Sequence, residues 1–381
     1  MFKAEELFQN ITDRNHPDET VLTIIQGKGT LPREQAGRNI HYDDASLSNY
    51  KKVEQGDFII HLRSFEGGLE MANEAGIVSP AYTILRCKRP HSSLFYDAYF
   101  HTDEFINHNL SKSVEGIRDG RQISYEAFKW LGIPYCEPTE QEKISSLFSV
   151  LNERIAKQRD LVESLKKYKR GVFEAIFSQK LRLVPTELQK PWKQYKLSDF
   201  ATRVTRKNGN QTDIPLTISA QYGLIDQRDF FSKTVASTDM SGYYLLQKGE
   251  YAYNRSTSND YPFGSIKRLE LYPMGAVSTL YLCFAIKEEV VNSDLAKWYF
   301  ESSRWYKGIN NICAEGARNH GLLNVPTDGF FNTVHTLPSD PNEQLAVVDY
   351  LSNIQKKYEA AQRCLQAIEN VRSGLLQQLF I

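Results

Sequence analysis

No apolar run in this 381-residue chain approaches the ~18–20 residues a membrane-spanning helix needs, and no charged-then-apolar leader opens at Met1. Cysteine is scarce and scattered. Cys87, Cys136, Cys283, Cys313 and Cys364 lie far apart with no CxxC pair, which argues against a disulfide framework or a zinc site and for reduced thiols in a cytoplasmic protein. Net charge is missing as well: 46 Lys and Arg balance 46 Asp and Glu. Proteins that hold nucleic acid by bulk charge carry a basic excess, so any nucleic-acid face here must be a local patch. The segments differ somewhat, with 15 basic and 20 acidic groups over residues 1–139 but 10 and 6 over 140–183. What is present is ordinary for a globular protein: 41% hydrophobic and 24% charged residues, over a length that suits two or three domains.

The informative feature is an internal repeat. Glu140-Gln141 recurs as Glu343-Gln344, and from there residues 140–177 and 343–380 align without a gap. Ser149 matches Ser352, Gly171 matches Gly374 and Phe177 matches Phe380. The apolar positions coincide too, including Ile144/Val347, Leu147/Tyr350, Leu151/Ile354, Ile155/Tyr358, Val162/Leu365 and Leu165/Ile368. They recur at steps of three and four, so each segment reads as one long amphipathic helix of about 57 Å at ~1.5 Å per residue. Pro138 and Pro341 stand just before these helices, with Thr139 and Asn342 as N-cap candidates and Thr139 with Glu142 as a capping box. A helix of that length with an apolar stripe needs a partner, and its own copy is the nearest candidate. Leu151, Ile155, Val162, Leu165, Ile354, Tyr358, Leu365 and Ile368 are the expected pairing positions. The alternative is two unrelated helices, each lying on its own globular domain.

The stretches ahead of the helices repeat more weakly. Ile11-Thr12 resembles Val204-Thr205, Gly56-Asp57 resembles Gly249-Glu250, and Arg63-Ser64 resembles Arg255-Ser256. Gly76, Ser79 and Tyr82 share the spacing of Gly275, Ser278 and Tyr281. Tyr99-Phe100 matches Tyr299-Phe300, Glu115-Gly116-x-Arg118 matches Glu315-Gly316-x-Arg318, and Ile133-Pro134 parallels Leu337-Pro338. Strand-like runs at 57–62 and 277–286 mix with helical stretches such as 295–306. The expected fold class is therefore α+β: two homologous domains, 1–138 and 184–340, each followed by a helix, 139–183 and 341–381. An antiparallel helix pair would give the chain a pseudo-two-fold repeat, the symmetry of duplex DNA.

This layout, with its Pro-x-Glu-Gln helix starts, the Gly-Asp-Phe-Ile-Ile stretch at 56–60 and the Gly-x-Val-Ser-Pro-x-Tyr at 76–82, resembles the specificity subunits of type I restriction-modification systems over nearly the whole chain. The resemblance implies two target-recognition domains on two spacer helices, reading a split DNA site. It implies two methyltransferase subunits as partners for adenine methylation, and it allows restriction-translocation subunits as well. In one respect the chain departs from the pattern. The second domain opens with Trp192-Lys193-Gln194-Tyr195-Lys196-Leu197 while the first begins at Phe2-Lys3, so the resemblance implies that a few residues of the usual start are missing.

Catalytic constellations are not legible. An adenine methyltransferase needs an Asn/Asp-Pro-Pro-aromatic loop, which Asn324-Val325-Pro326-Thr327 and Asp340-Pro341-Asn342 do not supply. The Gly27-Lys28-Gly29-Thr30 run lacks Walker spacing, and the eight histidines lack metal-ligand spacing. A non-catalytic subunit is expected, with S-adenosylmethionine and ATP bound only by partner subunits. The DNA-facing candidates are Arg63, Ser64, Arg118 and Arg121 in the first domain, and Asn254, Arg255, Ser256, Arg318, Asn319 and His320 in the second. Arg can address guanine edges and Asn adenine edges; equally, these loops can be plain surface, with Arg paired to Glu115 or Glu315. Lys166, Lys167, Lys169 and Arg170 read as a solvated helix face or as a phosphate or partner contact, and Tyr125 and Phe128 as core or as base-stacking rings. An adaptor with two protein-binding modules and no DNA contact is the competing reading of the whole.

Overall fold

The computed structural model describes residues 1–36, 44–116, 121–219, 222–230, 239–258, 261–313 and 321–380. Its contacts divide the chain into two compact units, Met1–Asp160 with Gln362–Ile381, and Leu161–Ala361. The division falls inside the long helices, so each unit holds one domain plus about half of each helix.

In unit 1 an antiparallel four-stranded sheet runs in the order Phe8–Ile11, Thr83–Cys87, Phe58–Ile60, Glu70–Met71. Leu22–Ile25 pairs with Gly29–Pro32, Lys51–Val53 with Gly76–Val78, and Phe2–Lys3 with Gly132–Ile133. Unit 2 has the same frame. Its sheet runs Ala201–Val204, Leu282–Ile286, Tyr251–Asn254, Ser265–Arg268. The flanking pairs are Leu216–Ser219 with Gly223–Asp226, Tyr244–Gln247 with Met274–Val277, and Lys193–Lys196 with Val334–Leu337. Even the isolated parallel bridge Val21 to Ile77 has its copy in Pro215 to Ala276. The weak sequence repeat thus extends to the sheet and its flanking strand pairs, while the pair Val114–Glu115 with Gln122–Ile123 of unit 1 has no counterpart among the described residues of unit 2.

Alternation explains the central strands. Phe58 and Ile60 face one buried cluster and Ile59 the other. Tyr251 and Tyr253 likewise face one cluster, and Ala252 the opposite one. One side of each sheet is covered by a helix, Ser93–Phe100 or Ser293–Glu301, whose Tyr99-Phe100 or Tyr299-Phe300 is buried. The run at 277–286 is two strands broken by a turn at 278–281, and the helix expected over 295–306 stops at Glu301. There the Ser302 hydroxyl donates to the Tyr299 carbonyl and ends the helix.

The long helices span Pro138–Phe177 and Pro341–Leu379. The prolines are the first helical residues, a position that needs no N–H, so Thr139 and Asn342 lie inside the helices and do not cap them. The Asp340 carboxylate instead accepts the Asn342 N–H at 2.9 Å. Within each unit the helix segments run antiparallel. Asn152 meets Arg372 and Arg159 meets Glu369 in unit 1, while Tyr168 meets Tyr350 and Arg182 meets Glu343 in unit 2. Ile155, Val162 and Ile354 are buried, and Leu151, Leu165, Tyr358, Leu365 and Ile368 are half-buried.

The repeated Glu-Gln proves to be a staple. Gln141 accepts the Ser92 N–H at 2.9 Å and donates to the Cys136 carbonyl at 2.8 Å. Gln344 accepts the Asn292 N–H at 2.7 Å and donates to the Pro338 carbonyl at 2.9 Å. Ser92 and Asn292 are the residues that open the sheet-covering helices, so each buried amide fixes a long helix to its domain. The repeated phenylalanines do the same at the far ends: Phe380 packs on Tyr99 and Phe177 on Tyr299, with ring centroids 5.5 and 5.4 Å apart.

Candidate nucleic-acid interface

The third strand of each sheet delivers the chain to the same kind of loop. In unit 1, Ile60 leads through His61 to Arg63 and into the single turn Ser64–Gly67. Gly68, at φ 89°, then returns the chain to the edge strand, where a Cβ would stand 2.1 Å from the Phe100 carbonyl oxygen. Ser64 is fully buried and its hydroxyl accepts the His61 N–H at 2.9 Å. Its side chain shapes the turn and is not available to a ligand, which corrects its place among the DNA-facing candidates. Arg63 is exposed, with Nε donating to Glu66 at 2.9 Å. Arg121, directly before the strand Gln122–Ile123, reaches the same loop, its guanidinium lying 4.1 Å from the Phe65 ring centroid. Tyr82, from the turn at 79–82, sets its ring edge-on to His61 at 6.5 Å. Arg118 lies outside the described residues.

In unit 2 the strand Tyr251–Asn254 ends in the equivalent loop. The Asn254 side-chain oxygen accepts the Ser256 N–H at 3.0 Å, and Ser256 is exposed. Arg255 is half-buried. Its Nη2 donates to the Leu280 carbonyl at 2.9 Å, from the turn at 278–281, and its Nε is buried with no hydrogen-bond partner. The Thr257 N–H donates to the Gly321 carbonyl at 2.7 Å, and the Leu323 N–H donates to the Arg255 carbonyl at 3.0 Å. Arg318, Asn319 and His320 lie outside the described residues, but the chain directly after them is knitted to the Asn254–Ser256 loop.

In each unit, then, described parts of the two candidate segments converge near an equivalent turn, at 79–82 before the strand Thr83–Cys87 or at 278–281 before the strand Leu282–Ile286. That turn was already visible as the repeated Gly-x-x-Ser-x-x-Tyr spacing, although the sequence did not say what it adjoins. Leucines accompany the cations: Leu62 is 62% exposed, Leu280 59% and Leu322 43%. Guanidinium groups with apolar neighbours can meet phosphates, guanine edges and thymine methyls. The two rings weighed as stacking candidates belong to the interior. Phe128 is fully buried, and the half-buried Tyr125 donates its hydroxyl to the Phe8 carbonyl at 3.1 Å. On the first long helix Lys166, Lys167 and Arg170 are exposed, while Lys169 is half-buried and donates to Gln355 at 2.8 Å. Among the described residues no cluster of His, Cys, Asp or Glu could hold a metal ion, and no helix is long and apolar enough to cross a membrane.

No protein-family model and no curated protein matches the chain. Solved structures do. The HsdS subunit from Thermoanaerobacter tengcongensis is 14% identical with a TM-score of 0.53, covering 100% of this chain and 95% of that one. The type I restriction-modification S subunit from M. genitalium is 12% identical with a TM-score of 0.54 and the same coverage. A chain from a structure on the assembly and conformational transition of the type I restriction-modification system is 13% identical, with a TM-score of 0.54, covering 100% and 96%.

Proposed function

We propose that this chain, which has the fold of type I restriction-modification S subunits, is the DNA-specificity subunit of such an enzyme. Each unit reads one half of a bipartite site, and the chain positions two methyltransferase subunits for adenine methylation, with restriction subunits able to join. The chain itself contributes no catalysis. S-adenosylmethionine and ATP bind to the partners. The observation that carries this reading is the duplicated frame with its pair of equivalent, cation-bearing loops, the arrangement needed to read two half-sites.

Support for two like partners comes from the long helices. Unit 1 exposes Leu147, Cys364 and Val371, and unit 2 exposes Tyr350, Leu161 and Tyr168, which occupy the equivalent repeat positions. The same exposed set, present once in each unit, suits two copies of one partner. An adaptor that never meets DNA would also use these positions, so the decisive experiment addresses DNA. Methylated adenines are mapped across the host genome with and without the gene. A bipartite motif that vanishes with the chain is expected, and an unchanged methylation map would overturn the proposal in favour of the adaptor.

A further inference from the structure

The strand Lys51–Val53 of unit 1 opens with a lysine that is only 9% exposed. Its Nζ donates to the Tyr82 carbonyl at 2.5 Å. An ammonium has three donors, and among the described residues Lys51 has no ion pair with a carboxylate. Burial, and after it the guanidinium of Arg14, push its pKa below the ordinary lysine range. Arg14 is exposed, and it too makes no ion pair among the described residues. The Lys52 N–H donates to the Asp13 carbonyl at 2.9 Å, which lays the chain at Arg14 alongside Lys51, and a mostly buried cation beside another cation is an unfavourable arrangement unless an anion completes it.

The place is contiguous with the first recognition loop. The Tyr82 carbonyl holds Lys51, the Tyr82 ring abuts His61, and the His61 Nδ1 accepts the Arg63 N–H at 3.3 Å. In unit 2 the register position of Lys51, opposite Val78, is taken by Tyr244, opposite Val277. Lys207, which is exposed, lies over that tyrosine ring at 4.6 Å, so among the described residues no buried cation takes that register position in unit 2.

We propose that Lys51 and Arg14 form an anion subsite that holds a backbone phosphate of duplex DNA beside the first recognition loop, a grip the second unit lacks. This rests on the DNA-reading function proposed above. A phosphate oxygen would accept from the two remaining Lys51 donors and from the Arg14 guanidinium. It would position the duplex without reading its sequence.

The test measures affinity of the full chain for a mixed-sequence duplex against salt concentration, for the wild type, Lys51→Met and Arg14→Gln. Each substitution should lower affinity roughly five- to tenfold at low salt and flatten the log–log salt slope by about 0.9. Lys51→Met should melt at or above the wild-type temperature, because it removes a buried charge that has no carboxylate partner among the described residues. Wild-type affinity and salt slope retained by both variants overturn the subsite and leave DNA reading intact. A lowered melting temperature for Lys51→Met overturns it by making Lys51 structural. A wild type that binds no duplex under any salt condition overturns the underlying DNA reading itself.

Discussion

In unit 1 the edge strand carries Glu70 opposite Ile59, and its carboxylate meets His101, at the end of the sheet-covering helix, at 3.4 Å. In unit 2 the edge strand carries Lys267 opposite Ala252, and its ammonium meets Glu301, at the end of the equivalent helix, at 2.5 Å. The frame therefore calls for a clasp between strand and helix, and either polarity serves. The neighbours make each polarity tolerable. Glu70 is fully buried and also accepts the N–H groups of Gly27 and Gly29 at 2.6 and 2.8 Å, whereas Lys267 faces the Tyr261 ring at 5.8 Å. Duplicated folds can thus keep a contact while exchanging its chemistry, and such a contact leaves no trace in a sequence alignment.

The helix starts differ in the same way, and this gives the largest expected effect. Glu343 is 1% exposed and takes a two-pronged bond from Arg182, at 2.5 and 2.7 Å, while its repeat partner Glu140 is exposed. Arg182→Met would leave a buried carboxylate without its counter-charge, so it should destabilise unit 2 by about 3–5 kcal/mol. Glu140→Gln should change unit 1 by less than about 0.5 kcal/mol. Urea unfolding, with hydrogen exchange to localise the loss, measures both. Equal effects would break the contrast.

Acidity should separate the units next. His335 is buried in unit 2 between the Thr333 and Tyr299 hydroxyls, and burial brings its pKa down from 6.5 to about 4. Unfolded chain takes up that proton before folded chain does, so unit 2 loses stability as pH falls from 6.5 towards 4, by up to about 3 kcal/mol. Unit 1 behaves differently. Burial alone would lower His101, but Glu70 and Asp97 outweigh it and hold the group above its ordinary 6.5. That contribution is full below 6.5 and is lost as pH rises through the folded value. Glu70, held down by His101 and the two glycine N–H groups against its own burial, contributes above 4.5 and loses this as pH falls. Burial also lowers His61 in unit 1, but the rise at His101 opposes it there, so between 6.5 and 4.5 acid should weaken unit 2 first. Trp130 reports on unit 1 and Trp192, Trp298 and Trp305 on unit 2, so tryptophan fluorescence with and without Trp130→Phe can follow the two separately. Unit 1 unfolding first in that range would contradict the assignment.

Much of the architecture was legible because the long helices repeat without a gap and their apolar period is unmistakable. The domain repeat was readable at some turns that demand glycine. Gly56 and Gly249 sit at φ 90° and 93°, ahead of equivalent strands. The helix starts were misjudged by one or two residues because proline can be the first helical residue as well as the last residue before it. The apolar run at 277–286 concealed a turn because hydrophobicity does not report chain direction. At the site, Arg63, Arg121 and Arg255 could be named from their loops, whereas the burial of Ser64 and Lys51 could not, since neither pattern nor motif reports which side of a turn faces inward. The Gln141 and Gln344 staples were visible as a repeated motif, but their partners, Ser92 and Asn292, are meaningful only in space.

The smallest effect expected concerns the two candidate DNA-facing loops themselves. Arg255 is held by the Leu280 carbonyl and keeps a buried, unmatched Nε–H, so its guanidinium is oriented before any ligand arrives. Arg63 is 68% exposed and already bonded to Glu66, so binding DNA with it means breaking an exposed ion pair worth at most about 1 kcal/mol and ordering a mobile side chain. If Arg255 reads a base edge, Arg255→Ala should weaken specific binding by about 1–3 kcal/mol and relax preference in the second half-site alone. Arg63→Ala should cost less than about 1 kcal/mol and leave the methylated motif intact. The comparison is read by mapping methylated adenines for each variant in the assembled enzyme, alongside duplex affinity. If Arg63→Ala instead degrades the first half-site as strongly as Arg255→Ala degrades the second, orientation before binding is not what distinguishes the loops, and the two units read DNA by the same means despite their different loop chemistry.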